Sequence, residues 1–508
     1  MALKRRFPLD RVLPRKELLV LEAWSKKEVL NLVKDKFSES TFVLASNRQP
    51  YIHKLSRGEI TCTRGPGGVI TALDPIMQEL GGLWVCCSNG EADKLAAKDS
   101  KIKVPPDNPS YELKYVWLNK EENLGYYFGY SNQGLWPLFH LVFVKPKFTG
   151  EYWKIYKQVN KKFAQKINDE IKGKKAVVFI QDYHLALVSK YLKEINPNVT
   201  TLLFWHIPWP TYDIFRILPQ RQEFLEGMLS YDLLGFHINY FCGNFFDAVA
   251  NEMEAKISKK NRTVIYKGHR SLVRGYPISV DFDGINEAAK SEEVESLARA
   301  LKEEFGLEGY KIIIGLDRID YTKGIAERIN AVDKFFDIHP ELKGKIIFVQ
   351  MGEISRIHLT QYKQLNEKVN ALVEEVNFKH SQNSWKPVIF VRRHLNFKEV
   401  LAFYKIADIC VVNSLHDGMN LVAKEFVSAK TDEKGMLVLS KFTGASRELK
   451  EALLVNPYYA EESSSAIYKA LTMDEAERKK KIRKLRQTVR RNDIWKWIGQ
   501  IVSDIPKE

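Results

Sequence analysis

Short apolar runs recur along the chain, and each is followed by a polar or glycine-containing segment. The first begins at Thr41, in Thr-Phe-Val-Leu-Ala-Ser-Asn-Arg, and later runs cover residues 83–85, 176–180, 201–205 and 233–236. Continuous apolar runs of this length are typical of strands that are buried on both faces of a parallel sheet. The first half of the chain is therefore predicted to form an α/β domain.

A second set of apolar runs follows a change in composition near residues 277–290. These runs begin at residues 311, 345, 388, 409 and 436. Amphipathic helical stretches such as 292–305 separate them, which predicts a second domain of strand–helix units around a parallel sheet. Two such domains that face each other would enclose a cleft. The length of 508 residues agrees with this division, because it is too great for one hydrophobic core.

The predicted organisation has four parts. Residues 1–40 are predicted to be a helical lead-in and residues 41–280 a first α/β domain. Residues 281–480 are predicted to be a second α/β domain, and residues 481–508 a C-terminal helical segment.

The composition is typical of a soluble globular protein, with 45% hydrophobic and 28% charged residues. No apolar run approaches the ~20 residues that a membrane span requires. The N-terminus is a poor secretory signal, because Glu17 and Glu22 flank its short apolar run. The five cysteines include no Cys-x-x-Cys pair, which favours reduced thiols. We therefore expect a cytoplasmic protein that does not associate with membranes.

A net charge of +15 would suit a polyanionic partner. Much of the excess lies between Arg478 and Arg491, where Ile482, Leu485 and Val489 recur at helical spacing. This pattern predicts one amphipathic helix with a solvated basic face. No zinc-finger spacing or aromatic ribonucleoprotein motif accompanies it, so we do not expect a nucleic-acid site there.

The segment 415–425 combines several features of a ligand site. An apolar run before it predicts a buried strand, Asp417 and Gly418 predict a turn, and Leu421 begins a predicted helix. A strand, a glycine turn and a helix start leave backbone N–H groups free to bind a ligand above the sheet. Asp417 could accept hydrogen bonds from sugar hydroxyls, and Glu425 could bind a ribose. An ordinary βα loop with a capping aspartate is the alternative interpretation.

Three other polar segments follow predicted strands of the first domain. The glycine-rich segment 64–69 precedes a predicted helix and would let backbone amides approach a phosphate or a sugar. Gln-Asp-Tyr-His at residues 181–184 and His-Ile-Pro-Trp-Pro at residues 206–210 each follow an apolar strand. Side chains at the carboxyl ends of parallel strands line the ligand crevice of open α/β sheets. These segments are therefore candidates for a site.

The strongest cationic candidate is the segment 315–324, which directly follows the apolar run at residues 311–314. Arg318 and Lys323 could both project from this loop into the cleft. Two fixed cations suit a diphosphate, because arginine supplies a bidentate fork and lysine a point charge. A pair of solvated loop charges is the alternative, but Asp417 at the end of a neighbouring strand makes it less attractive.

The segment Asp-Phe-Asp-Gly, which begins at Asp281, resembles both the metal site of some glycosyltransferases and the nucleophile loop of phosphatases. A phosphatase would also need a downstream lysine and an acidic pair after a strand, and no convincing set is present. We therefore interpret this segment as a loop between the two domains.

Four motifs occur in a characteristic order along the chain. They are Phe-Trp-His-Ile-Pro-Trp-Pro from Phe204, Asp-Arg-Ile-Asp-Tyr-Thr-Lys-Gly from Asp317, Asp-Gly-Met-Asn-Leu-Val-Ala-Lys-Glu from Asp417 and Phe-Thr-Gly-Ala-Ser from Phe442. In this order they resemble the trehalose-6-phosphate synthases, which are retaining glycosyltransferases of family 20, and the resemblance runs from about residue 43 to residue 501. It implies the α/β GT-B fold, in which two facing Rossmann-like domains enclose a central cleft and a C-terminal helix crosses back to the first domain.

The resemblance also implies an activity. The first domain would bind the acceptor and the second the nucleotide-sugar. Glucose would move from a nucleotide-glucose, such as UDP-glucose, to glucose 6-phosphate and give trehalose 6-phosphate. No metal or other cofactor is expected, since the nucleotide-sugar is a co-substrate, and no nucleic-acid or membrane partner is expected. A separate phosphatase would act on the product. Whether the protein forms a homo-oligomer is left open by the resemblance.

Roles of single residues follow from the same motifs. The residues expected to act in catalysis are Arg318, Lys323, His206 and Asp182. The residues expected to bind the donor are Gly68, Arg318, Lys323, Asp417, Gly418, Met419, Asn420, Leu421, Val422 and Glu425. The residues expected at the acceptor are Arg48, Cys87, Tyr127, Trp136, Asp182 and Arg356. The two arginines and the tyrosine of this last set would hold the acceptor phosphate.

The mechanism that the resemblance implies is a front-face attack, in which the acceptor hydroxyl gives its proton to the departing phosphate oxygen. No side-chain nucleophile is evident, whereas retaining glycosidases need a carboxylate placed for covalent attack. Catalysis would then depend on positioning and on Arg318 and Lys323, which would stabilise the leaving diphosphate. His206 would lie beside the transferred glucose, and Asp182 would contact acceptor hydroxyls.

Three departures from the family pattern bear on the acceptor and its surroundings. Cys87 stands where the family usually has a second tryptophan beside the acceptor, His416 replaces a usual arginine, and Gln181 replaces a usual histidine. The lost stacking face at Cys87 leaves glycerol 3-phosphate, the acceptor of glucosylglycerol-phosphate synthases, as an alternative to glucose 6-phosphate. A pseudoenzyme that binds nucleotide-sugar is a further alternative, but the retained Arg318 and Lys323 argue against it.

Overall fold

The computed structural model describes residues 24–37, 40–65, 67–353, 356 and 358–505. They form two α/β domains that face each other across a cleft. Residues 1–23, which hold most of the predicted helical lead-in, lie outside the described residues.

The first domain is built around a ten-stranded sheet and a separate two-stranded hairpin. Its strands are β1 (Thr41–Ser46), β2 (Tyr51–Ser56), β3 (Glu59–Arg64), β4 (Leu83–Cys87), β5 (Lys101–Val104), β6 (Tyr111–Val116), β7 (Ala176–Gln181), β8 (Val199–Trp205), β9 (Leu233–Phe236), β10 (Lys256–Ser258), β11 (Thr263–Tyr266) and β12 (His269–Gly275). The order across the sheet is β10-β11-β12-β9-β8-β7-β1-β4-β6-β5, and the strands from β12 to β6 are parallel. β2 and β3 pair only with each other, as an antiparallel hairpin.

Both faces of this sheet are covered. Alternate residues of β1 pack into two different hydrophobic cores, Leu44 into one and Val43 and Ala45 into the other. This burial explains why the strands read as continuous apolar runs rather than as alternating ones. The helices of the domain are α1 (Lys26–Lys36), α2 (Gly68–Leu80), α3 (Asp93–Ala96), α4 (Lys120–Glu122), α5 (Trp136–His140), α6 (Gly150–Ile171), α7 (Val188–Ile195), α8 (Tyr212–Phe215), α9 (Arg221–Met228) and α10 (Asn239–Glu252), with a π-helical segment, Asn123–Leu135, before α5.

The second domain has a six-stranded sheet in which all strands are parallel. Its strands, in the order β15-β14-β13-β16-β17-β18, are β13 (Lys311–Arg318), β14 (Ile346–Glu353), β15 (Val388–Val391), β16 (Ile409–Val412), β17 (Met436–Ser440) and β18 (Leu453–Val455). The helices that follow the first domain are α11 (Phe282–Ala289), α12 (Glu292–Glu304), α13 (Ile325–Ile338), α14 (Thr360–His380), α15 (Phe397–Ile406), α16 (Leu421–Ala429), α17 (Ala460–Thr472), α18 (Glu475–Arg491) and α19 (Ile494–Asp504). None of the described helices is long and apolar enough to cross a membrane.

The predicted α/β architecture with two facing domains is confirmed, and each apolar run that was assigned to a domain forms a strand. The hairpin of β2 and β3 is a difference, because the sequence pattern predicts no strand in this segment. Nearly every residue of β3 is exposed. A strand that buries neither face carries no apolar run, so the sequence pattern gave no signal for it.

The chain returns to the first domain in α19, as predicted. Trp497 of this helix is buried, and its ring lies 5.9 Å from that of Phe179 and 4.9 Å from that of Phe204, between centroids. The carboxylate of Asp504, at the end of the helix, accepts a hydrogen bond from Arg274 at 2.8 Å. The last helix therefore packs on the face of the first sheet and joins the two domains a second time.

The preceding helix, α18, stays on the second domain. Its buried face consists of Ile482, Leu485 and Val489, as the helical spacing predicted. Arg486 donates hydrogen bonds to carbonyl oxygens in the last turn of α16. The segment that crosses back therefore starts with α19 rather than at residue 481.

Asp281 caps a helix. Its side chain accepts a hydrogen bond from the backbone N–H of Gly284 at 3.1 Å, and this is the N-cap interaction of α11. The segment does lie between the two sheets, but Phe282, Asp283 and Gly284 form the first turn of α11, so our interpretation of it as a loop is wrong.

Replacing Trp497 by alanine is expected to lower the free energy of unfolding by about 3–5 kcal/mol, because a buried tryptophan is lost from the contact between α19 and the first sheet. Urea-induced unfolding measures this change. The matched control is Phe378→Ala, since Phe378 is 94% exposed, and its effect should stay within about 0.5 kcal/mol. Equal effects of the two substitutions would contradict a stabilising role of α19 in the first domain.

Candidate active site

The cleft between the domains contains a cavity of about 710 Å³. Its lining comes from the carboxyl ends of β1, β7 and β8 in the first domain and of β13 and β14 in the second, which is where open α/β sheets bind ligands. The predicted site residues that line it are Arg48, Gly68, Tyr127, Trp136, Asp182, His206, Arg318, Lys323, Arg356, Asp417, Met419, Asn420, Leu421, Val422 and Glu425. The structure thus brings together residues from eight separate segments of the two domains.

Lys323 and Asp417 form a buried ion pair in the second-domain half of the cavity. The Lys323 Nζ lies 2.5 Å from Oδ2 of Asp417, and the same oxygen accepts longer hydrogen bonds from Ser414 and Asn420. Burial alone would raise the pKa of Asp417, but Lys323 outweighs burial and lowers this pKa to about 2. Both groups are therefore charged at neutral pH, and the pair fixes the lysine at the cavity surface.

Backbone hydrogen bonds hold the turn that carries Asp417. The N–H of Leu415 donates to the carbonyl oxygen of Thr322 at 2.8 Å, and the N–H of Asp417 donates to that of Phe442 at 3.1 Å. Asn420 then begins α16 as its N-cap, with a φ of 79° that asparagine tolerates better than most residues. The turn is thus tied both to the loop that carries Lys323 and to the loop after β17.

Close contacts between the domains depend on two glycines. A Cβ on Gly418 would lie 2.3 Å from the carbonyl oxygen of His206, and a Cβ on Gly68 would lie 2.9 Å from Cδ1 of Leu421. His416 adds a hydrogen bond of 2.7 Å to the carbonyl oxygen of the last residue of α5. Gly418, predicted to bind the donor, does not line the cavity. Gly418 instead packs against the backbone of His206, at a contact between the two domains.

Of the five arginines that line the cavity, three lie close to one another, Arg48 of the first domain and Arg318 and Arg356 of the second. Burial and the other two arginines lower the pKa of Arg318. Tyr127 lies among them and accepts a hydrogen bond from Arg48 at 3.1 Å. Burial would raise the pKa of Tyr127, but Arg48 and Arg356 lower it to about 7. This concentration of positive charge favours anionic ligands.

Asp320 connects these groups, although the sequence did not single it out. Its fully buried carboxylate accepts hydrogen bonds from Trp136 (3.3 Å), Arg356 (3.1 Å) and Tyr362 (3.1 Å). The Arg356 guanidinium also lies over the Trp136 ring, 4.6 Å from its centroid. Because Trp136 belongs to the first domain and the other residues to the second, Asp320 holds both sides of the cleft. Asp320 lies two residues after Arg318 within the motif that begins at Asp317, so the motif could have identified it as a site residue.

Asp182 is held in an unusual conformation at the end of β7. Its φ is 75°, and its Oδ1 accepts hydrogen bonds from the backbone N–H groups of Tyr183 (3.0 Å) and His206 (3.2 Å). Burial raises the pKa of Asp182 to about 7 in spite of these hydrogen bonds. Near neutral pH this carboxyl group can therefore either donate to a ligand hydroxyl or accept from it.

Glu425 lies one turn into α16. Its Oε2 accepts a hydrogen bond of 3.0 Å from the hydroxyl of Tyr404, and burial raises its pKa. The side chain lines the cavity. A carboxylate with one donor to one of its oxygens keeps acceptor positions for ligand hydroxyl groups.

Cys87 was expected beside the acceptor, and this expectation is wrong. The residue is 4% exposed at the end of β4 and packs in the hydrophobic core that also contains Tyr126 and Val85. Burial raises the pKa of its thiol well above the usual value. Because its side chain points into the core rather than into the cavity, Cys87 gives no reason to doubt the acceptor.

Groups of side chains that could hold a metal ion do not occur at the cavity among the described residues. The group with suitable spacing, Asp333, Asp337 and His380, lies on α13 and α14. The amine of Lys379 already pairs with the carboxylates of Asp333 and Asp337, at 3.0 and 2.7 Å.

Two facing α/β domains with a cavity between their strand ends form the architecture of the GT-B glycosyltransferases. The family model of glycosyltransferase family 20 matches residues 40–507. The UDP-forming alpha,alpha-trehalose-phosphate synthase of Pichia angusta is 34% identical over 479 residues, and the comparison covers 92% of this chain and 98% of that protein. The trehalose-6-phosphate synthase of Mycolicibacterium smegmatis is 35% identical over 466 residues, and the comparison covers 90% of this chain and 91% of that protein. The chain belongs to glycosyltransferase family 20.

Solved structures agree with this assignment. An E. coli structure bound with UDP-2-fluoro glucose has a TM-score of 0.81 and 30% identity, and the comparison covers 92% of this chain and 99% of that one. The UDP-forming alpha,alpha-trehalose-phosphate synthase from Burkholderia xenovorans in complex with glucose-6-phosphate has a TM-score of 0.83 and 27% identity, over 92% of this chain and 100% of that one.

Asp182→Asn should remove a pH dependence of stability. The folded protein keeps a proton on Asp182 up to about pH 7, whereas the ordinary pKa of an aspartate is 3.8. Between these values the folded state binds more protons than the unfolded state, so this group makes stability fall as pH rises. The free energy of unfolding of Asp182→Asn minus that of the wild type should therefore increase between pH 4 and 7, by more than about 1 kcal/mol.

Urea unfolding at a series of pH values measures this difference. Asparagine tolerates the positive φ of residue 182, so backbone strain does not confound the comparison. Asp107→Asn in an exposed loop shows the effect of the same replacement on a surface residue. A difference that stays constant from pH 4 to 8 would rule out a raised pKa at Asp182.

Proposed function

We propose that the protein transfers glucose from UDP-glucose, or a similar nucleotide-glucose, to glucose 6-phosphate with retention of configuration and so makes trehalose 6-phosphate. The observation that carries this proposal is the presence of two cationic groups in one cavity. Lys323 pairs with Asp417 at the donor turn, and Arg48 and Arg356 surround Tyr127. Arg318 lies close enough to interact with Lys323 and with both of these arginines. A diphosphate donor and a phosphorylated acceptor need one such group each.

The donor half is the part of the cavity in the second domain. Arg318 and Lys323 hold the diphosphate and stabilise the charge that grows on its oxygen as the glycosidic bond breaks. Asp417 and the backbone amides after it bind the transferred glucose, and Glu425 binds the ribose. The E. coli structure bound with UDP-2-fluoro glucose supports a nucleotide-sugar as the donor.

The acceptor half lies between the domains. Arg48, Arg356 and Tyr127 bind the phosphate, and Trp136 and Asp182 contact the sugar. The acceptor hydroxyl attacks from the face of the departing diphosphate and gives its proton to the departing oxygen, so no side-chain nucleophile is required. The relative that binds glucose-6-phosphate favours this acceptor over glycerol 3-phosphate, and the buried position of Cys87 removes the reason for the alternative.

Further expectations accompany this proposal. The reaction uses no metal or other cofactor, because cationic side chains occupy the place where a metal would balance the diphosphate. The enzyme works in the cytoplasm, where both substrates are made available, and a separate phosphatase consumes the product. A homo-oligomer is compatible with the proposal.

The proposal predicts nucleotide release when the purified protein receives UDP-glucose and glucose 6-phosphate, at a rate at least about tenfold higher than with glycerol 3-phosphate. Arg356→Met should raise the KM for glucose 6-phosphate by about 10–100-fold, because a charged hydrogen bond to the phosphate is lost. Its matched control is Arg299→Met, at an exposed position of α12. Coupled nucleotide assays and NMR of the product's anomeric protons measure these outcomes.

Two other outcomes would each support one of the alternative functions. No nucleotide release with any nucleotide-glucose and either acceptor would support a protein that binds nucleotide-sugar without turnover. Faster release with glycerol 3-phosphate would support the glucosylglycerol-phosphate synthase alternative.

A further inference from the structure

Gln181, the last residue of β7, makes a side-chain hydrogen bond that fixes the state of a neighbouring ring. Its Oε1 lies 2.8 Å from Nε2 of His206. An amide oxygen can only accept, so the ring nitrogen that faces it carries the proton. Burial lowers the pKa of His206 well below its usual value, so the ring is neutral. With the proton on Nε2, the Nδ1 atom is left as a hydrogen-bond acceptor.

The amide nitrogen of Gln181 is the second observation. Gln181 is 1% exposed, and its Nε2 has no hydrogen-bond partner among the described residues. The same side chain lines the cavity. A buried N–H group without a partner is costly, so its presence beside a cavity points to a ligand atom that accepts from it.

A glutamine at a comparable place in the second domain shows the contrast. Gln350 of β14 is also fully buried, but both ends of its amide have partners. Its Oε1 accepts from Arg328 at 3.0 Å, and its Nε2 donates to the carbonyl oxygen of Met351 at 2.8 Å. Both the oxygen and the nitrogen of the Gln350 amide thus have a partner, whereas the nitrogen of the Gln181 amide has none among the described residues.

The backbone of His206 is fixed as firmly as its ring. Its N–H donates to Oδ1 of Asp182 at 3.2 Å, and its carbonyl oxygen lies 3.0 Å from Nε2 of His237. Gly418 of the donor turn packs directly against the same carbonyl group. The ring is therefore held at the contact between the two domains, next to the turn that carries Asp417.

We propose that Gln181 is a positioning residue for His206 and, through its free amide N–H, a binding residue for a sugar hydroxyl. It holds the ring in the Nε2–H tautomer, and Nδ1 then accepts a hydrogen bond from a hydroxyl group in the cavity. The amide N–H of Gln181 donates to a hydroxyl oxygen. This inference rests on the proposed function, because the hydroxyl groups are those of the transferred glucose.

Two substitutions separate the two roles. Gln181→Met keeps the length of the side chain but removes the hydrogen bond to His206 and the one to the sugar hydroxyl. Its kcat/KM for the nucleotide-glucose should therefore fall by about 10–100-fold, through a higher KM, a lower kcat or both. Gln181→Glu keeps an acceptor for the Nε2–H but loses the amide donor. In this variant the His206 ring should keep its proton on Nε2, whereas the affinity for the nucleotide-glucose should still fall by about tenfold. Gln165→Met, at an exposed position of α6, is the matched control.

The tautomer is read directly by long-range proton–nitrogen correlation NMR on protein labelled with ¹⁵N-histidine. The signal of His206 is assigned by its absence from the His206→Asn protein. We expect the Nε2–H tautomer in the free wild-type protein and a loss of that preference in Gln181→Met. The Nδ1–H tautomer in the wild type, or unchanged kcat/KM in Gln181→Met, would overturn the inference.

This experiment distinguishes failure of the inference from failure of the proposed function. The NMR measurement needs no substrate, and affinity is measured by calorimetric titration of UDP-glucose rather than by turnover. A wild-type protein that binds UDP-glucose but releases no nucleotide would refute the proposed reaction. The tautomer and the affinity difference of Gln181→Met would still decide the role of Gln181.

Discussion

The carboxylate of Asp320 accepts hydrogen bonds from Arg356 of its own domain and from Trp136 of the opposite one, in a place that solvent does not reach. A buried carboxylate requires such partners, and a buried guanidinium requires such a carboxylate. Asp320 also belongs to the loop that supplies Arg318 and Lys323. One loop therefore positions the cations for the donor and the arginine for the acceptor, and it contacts the first domain as well.

The other contacts between the domains follow from this arrangement. Gly418 lets the donor turn approach the backbone of His206, and Gly68 lets the start of α2 approach Leu421. The Lys323–Asp417 pair then fixes the charge at the centre of the donor half. Positive charge that would repel itself in an empty cavity is balanced by Asp320 and by Tyr127, whose pKa is about 7. Anionic substrates can take over this balancing role when they bind.

The sequence predicted the central strands of both sheets, both domains and the loop that carries Arg318 and Lys323, because buried parallel strands and glycine turns leave strong local patterns. It did not predict β5, β6, β10, β11, β12 and β18, which lie toward the edges of the sheets. It also did not predict the hairpin of β2 and β3, because β3 is exposed along nearly all of its length and carries no apolar run. It also placed Cys87 at the acceptor, since a motif position does not tell which face of a strand end points to the cavity. The partners of Asp320 could not be predicted for a similar reason. Trp136 and Arg356 are distant from it in sequence, and only the fold brings them together.

The measurement that tests this account most directly is the affinity for glucose 6-phosphate of the wild type and of Asp320→Asn, by calorimetry with and without UDP. If Asp320 joins the two halves, UDP should tighten glucose 6-phosphate binding at least about fivefold in the wild type. Asp320→Asn should bind glucose 6-phosphate at least about tenfold more weakly and lose the gain from UDP. A folded Asp320→Asn protein with wild-type affinities and the same gain from UDP would contradict the account.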